Sequence, residues 1–144
     1  MGSTVTFLVW FQYDNLTYAN RVFEQIRTGD VLASRRWHSI TVGYGCTFAV
    51  VELPEDAAVQ PPAALSGRKH PLNMPSNWQR TPGENLSEMS MGWFAECRED
   101  LGDALFDRMS DALEAPGGWW NSRTDTVFLY SRPARLAFRL RHGD

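Results

Sequence analysis

Five separate stretches of this chain read as strands, by a period of two or by β-branched and aromatic content, whereas a helical period governs only two. That balance restricts the fold, because alternating side chains must line a sheet and amphipathic helices must cover it. In residues 4–13, Val5, Phe7, Val9, Phe11 and Tyr13 share one parity. Leu8 and Trp10 make the other parity apolar as well, so this stretch is predicted to be a central strand. Residues 34–42 and 46–53 are rich in β-branched and aromatic side chains and flank Gly43-Tyr44-Gly45, which predicts a hairpin. Residues 126–131 and 136–141 flank Arg132-Pro133-Ala134-Arg135 as a second hairpin, with Leu136, Phe138 and Leu140 inward and Arg135, Arg139 and Arg141 outward.

Asp14-Asn15-Leu16-Thr17 offers N-caps for a first helix, in which Ala19, Val22, Phe23 and Ile26 recur at helical spacing before Gly29 stops it. A second, longer helix is expected from the Asn85/Glu88 capping pair to the stop at Ala115-Pro116-Gly117-Gly118. Its apolar stripe would be Phe94, Cys97, Leu101, Ala104, Leu105 and Ala112. Six of the eight prolines fall between residues 54 and 82, so residues 54–87 read as a long irregular connection. The order β-α-β-β-loop-α-β-β predicts a single α+β domain over residues 1–144. An antiparallel sheet would carry two helices on one face, in a ferredoxin-like β-α-β-β-α-β order with an extra C-terminal strand.

A chain of 144 residues, 43% hydrophobic and 22% charged, has the composition of a globular domain. Its net charge of −3 speaks against direct binding of nucleic acid or an anionic membrane. No stretch is long enough to span a bilayer, and the first residues lack the basic region of a signal peptide. Cys46 and Cys97 each sit in an apolar pattern, so the expectation is two buried free thiols in a reducing cytoplasm.

The strongest chemical feature is charge on the second helix. Glu96, Asp100, Asp103, Asp107, Asp111 and Glu114 follow one another at helical spacings, and residues 96–114 carry a net charge of −5 (seven acids against two arginines). Like charges at that spacing oppose helix formation by about 0.2–0.5 kcal/mol per pair, so the stripe is a cost to the fold. It can be a solvated face paired with the arginines of the last strand, or a ridge that steers a basic protein partner into place. The second reading predicts an inhibitor or immunity (anti-defence) type of interaction protein, its partner a basic protein such as a nucleic-acid-acting enzyme. Trp78 and Arg80 in the long connection form a second candidate contact, since Trp and Arg dominate binding hot spots. A homodimer is a third arrangement, the acidic ridge of one copy meeting the arginines of another.

The catalytic inventory is thin. Arg35-Arg36-Trp37-His38 is a basic, aromatic strand on which Arg36 could hold a phosphate and His38 act as a general base, the alternative reading being a small phosphoesterase or nucleotide-binding enzyme. The paired His-x-Thr/Ser motifs of 2H phosphoesterases are not met: position 40 is Ile, and Pro71-Leu72 follow His70. No zinc spacing, phosphate-cradling glycine loop or nucleophile elbow is present, so no metal and no cofactor is expected.

Overall fold

The computed structural model describes residues 2–36, 45–62 and 77–143. Helix α1 (Gly2–Val22) is followed by strands β1 (Val31–Arg35), β2 (Cys46–Glu52) and β3 (Gln79–Arg80). A 3-10 segment (Met89–Cys97), α2 (Arg98–Leu101) and α3 (Asp103–Glu114) lead to β4 (Trp119–Ser122), β5 (Thr126–Ser131) and β6 (Leu136–His142). The strands form one sheet in the order β1-β2-β6-β5-β4-β3, every pairing antiparallel. The chain is therefore one small α+β domain, as its periodicities predict, but its strand order is not ferredoxin-like. The second expected hairpin forms as β5–β6. Of the first, β1 and β2 do pair antiparallel, but β1 is Val31–Arg35, Arg35 lies opposite Phe48, and the expected arm 37–42 with Gly43-Tyr44 of its turn lies outside the described residues.

Alternation along the strands builds two cores. Phe48, Val50, Leu129, Phe138 and Leu140 point to one face, where they meet Phe94, Phe106 and Met109 from the 3-10 segment and α3. Ala49, Val51, Tyr130 and Ala137 point to the other, where Tyr18, Ala19 and Val22 of α1, with Phe23 just after it, close over them. The expectation of two helices on one face is thus corrected: they cover opposite faces. Because both faces are covered, Arg139, expected to face outward on β6, is only 6% exposed beneath α1.

Residues 4–13, expected as a strand, are helical. Asp14, Tyr18, Ala19 and Val22, all buried, recur at helical spacing in the second half of α1, and the buried Phe23 follows its end. Once that half is nucleated on the sheet, extending it by one residue at a time costs little, and no Gly or Pro interrupts residues 3–28. Local β-propensity loses to this continuity.

The single long helix is corrected as well. Ser90, Met91 and Gly92 carry φ values of 53°, 62° and 85°, a left-handed turn that no α-helix accommodates. Gly102, at φ 86° and ψ 150°, then separates α2 from α3. This break shifts the buried stripe of α3 to Phe106, Met109, Ala112 and Leu113, one step out of phase with the expected Ala104 and Leu105. Finally, the two expected free thiols are a disulfide, Cys46–Cys97, whose Cα atoms lie 5.6 Å apart and which pins β2 to the 3-10 segment. The free-thiol argument for a reducing compartment goes with it. Among the described residues, no helix is long and apolar enough to cross a membrane.

Candidate functional site

The break at Gly102 divides the six carboxylates into two sets. Glu96 turns to the end of β6, where its Oε2 lies 2.7 Å from His142 Nε2. Asp100 reaches back to β1 and pairs with Arg35 Nη2 at 3.0 Å. Arg35 itself is fixed from three sides: it donates to the Cys46 carbonyl at 2.9 Å and lies over the Phe48 ring at 4.7 Å. These two acids are structural ties between the α2 side and the sheet.

Asp103, Asp107, Asp111 and Glu114 remain together, all exposed on the outer side of α3. One guanidinium serves the start of this row: Arg98 Nη1 lies 3.0 Å from Asp107 and 3.4 Å from Asp103, and Arg98 also stacks over the Phe106 ring. Glu114 accepts a hydrogen bond from Asn85 Nδ2 at 2.7 Å. Asp111 makes no ion pair among the described residues. The side chains of Asp103 and Asp107 stay 82% and 58% exposed despite their arginine, so the pairing screens the row without burying it. Beside it an open depression of about 550 Å³ is lined by Glu96, Glu99 and Asp103 as well as Arg98.

The arginines expected to neutralise this face, or to meet it in a second copy, are engaged elsewhere. Arg135 pairs with Glu52 and Glu55, Arg141 with Asp125, and Arg139 is buried under α1.

Trp78 and Arg80 do not act as a pair. Trp78 is half-buried against the α1-side core, edge-on to Phe128 with ring centroids 6.4 Å apart. Arg80 is exposed and stacks instead on Trp119, at 4.3 Å from the ring. Of the alternative site, Arg36 is tied to α1, its Nη1 3.6 Å from Asp14 and its backbone N–H donating to Asn15 Oδ1 at 2.9 Å. His38 lies outside the described residues. Among the described residues no three His, Cys, Asp or Glu side chains gather to hold a metal ion.

Two features depart from what the sequence implies, Trp93 because its place in a periodic segment reads as core. Met91 and Trp93 stand 92% and 44% exposed on and beside the left-handed turn, which Ser90 Oγ anchors by donating to the Thr124 carbonyl. The sign available in sequence was Gly92 following two polar or flexible residues inside an otherwise helical pattern. On the other side of the sheet Arg139 and Tyr18 form a buried polar contact that no linear spacing announces.

No protein-family model matches this chain, and no curated protein and no solved structure matches it.

Proposed function

We propose that this domain is a protein-binding module of the inhibitor or immunity type, which docks a basic protein through the acidic outer face of α3. The observation that carries the proposal is the row Asp103, Asp107, Asp111 and Glu114, four exposed carboxylates on one helix face that, among the described residues, share a single guanidinium. The last two lie at the C-terminal end of α3, where the helix dipole disfavours negative charge, so stability does not account for them. Such a row accelerates encounter with a cationic surface and makes affinity fall with salt. Met91 and Trp93, exposed on the 3-10 segment that precedes α2 and α3, offer an apolar contact of the kind that anchors interfaces once charges have steered the partners together.

The test is side-by-side capture from a lysate of the source organism at low salt, by the wild-type domain and by an Asp103→Asn/Asp107→Asn/Asp111→Asn variant with an unchanged melting curve. A basic protein held by the wild type, released by a salt gradient and lost from the variant is the expected result. Equal retention by both would remove the α3 face from the interaction.

A further inference from the structure

On the opposite face of the sheet, and independently of the docking reading, a cation is buried without a counter-ion among the described residues. Arg139 is 6% exposed. Its Nη1 donates to the Tyr18 hydroxyl, its Nε is buried with no partner, and its guanidinium lies 5.7 Å from the Phe128 ring. No carboxylate comes within ion-pair distance of it among the described residues. Outside the described residues, 37–44 and 63–76 contain no Asp or Glu, and the acid that remains there is Asp144. A charge taken out of water in this way is strongly unfavourable unless something compensates it.

The surroundings repeat the imbalance. In register, Arg139 sits opposite Ala49 and Phe128, and Arg141 opposite Thr47 and Thr126, so all six share the α1 face. Arg36 and Arg141 act on the same Tyr18 hydroxyl as Arg139, each favouring its ionised form against the larger effect of burial. Asp14, itself 4% exposed, serves Arg21 at 2.6 Å and Arg36 at 3.6 Å, and Asp125 serves Arg141 at 3.2 Å. Among the described residues, four guanidiniums therefore face two carboxylates. The Arg141 side chain is 35% exposed, so the cluster opens to solvent at its end of β6.

We infer that the space between α1 and the ends of β2, β5 and β6 binds a phosphate-type oxyanion, held by Arg139 with Arg36 and Arg141 around the Tyr18 hydroxyl. Guanidinium forks match the oxygens of such an anion in pairs, and three of them suit a doubly charged tetrahedral group better than a planar monoanion. The bound anion supplies the charge that Arg139 lacks.

Calorimetric titration of the full chain with inorganic phosphate, at fixed ionic strength in chloride, tests this directly. Saturable binding with one phosphate per chain is expected, together with a melting temperature that climbs with phosphate concentration. Arg141→Gln, at a partly exposed position, is expected to weaken the affinity about tenfold or more, the loss of roughly one charge-assisted contact. Arg139→Met is expected to abolish the phosphate-dependent rise in melting temperature. Should that variant fail to fold, the Arg141→Gln affinity decides. No saturable binding, an equal response to acetate, or wild-type affinity in Arg141→Gln would each overturn the assignment.

Discussion

Ser34 uses its hydroxyl twice on the same helix. It accepts from Ala19 N–H at 3.0 Å and donates to the Asn15 carbonyl, so both contacts fall on backbone groups one helical turn apart. With Asp14 and Tyr18 alongside, it fastens the middle of α1 to the sheet, and the polar contacts beneath it have a measurable pH signature. Burial holds the Tyr18 proton above the usual phenol range, against the pull of Arg139. Below about pH 10 the phenol is protonated in both folded and unfolded chains and contributes no pH dependence. As pH rises past that value the unfolded chain releases its proton first, so stability falls. Tyr18→Phe removes that contribution, and its urea midpoint is expected to decline less than the wild type's above about pH 10; parallel declines would contradict it. Gly83 shows the opposite constraint, a shortage of space. A Cβ there would lie 2.8 Å from Trp120 and 3.1 Å from Leu113, so Gly83→Ala is expected to cost about 1–3 kcal/mol in chemical denaturation. A variant as stable as the wild type would show that the Trp120 ring can move aside.

Among the elements, the segment from Met89 to Glu114 decides the surface. Its break rests on Gly102, whose φ of 86° and ψ of 150° belong to a region that only glycine enters readily. Nothing lies within 4 Å of where a Cβ would stand, so the cost of Gly102→Ala is backbone strain alone, expected at about 1–3 kcal/mol. No loss would mean that the helix runs straight through. This break is also where sequence reading failed. Phe94, Cys97 and Leu101 fit one apolar stripe, and Gly102 inside a helical pattern reads as a tolerated residue, so the change of phase at Phe106 has no local sign. The α1 error has a different source. Val5, Phe7, Val9 and Phe11 do prefer strands, but their conformation is set by the buried Tyr18, Ala19 and Val22 further along. The β5–β6 hairpin, by contrast, was legible because its apolar strands and the turn residues Arg132-Pro133-Ala134-Arg135 agree. Of the six acids, the four on α3 could be read as one face from spacing; the diversion of Glu96 and Asp100 to His142 and Arg35 depends on tertiary contacts.

At the scale of the molecule, the sheet separates two chemistries. One face presents α3 and its carboxylates, and the other holds a surplus of guanidiniums under α1. The Cys46–Cys97 link ties the acidic side to β2 and closes a separation of 51 residues, for which chain entropy implies about 4 kcal/mol of stabilisation. Cys97→Ser is expected to lose a stability of that order under oxidising conditions, as a lowered denaturation midpoint; an unchanged midpoint would mean that the bond does not form. The spacing of two lone cysteines gave no reason to pair them, since one lies on a strand and the other follows a turn 51 residues on. The docking account reduces to one physical claim, that the exposed row on α3 draws a cationic partner by long-range attraction. The most direct measurement is the association rate constant with the captured basic protein, at low and at near-physiological salt, for the wild type and for the Asp103→Asn/Asp107→Asn/Asp111→Asn variant. The account predicts that the wild-type rate falls by about tenfold or more as salt screens the row, and that the variant starts slower and falls less. A rate that ignores salt, or one the three substitutions leave unchanged, would contradict it.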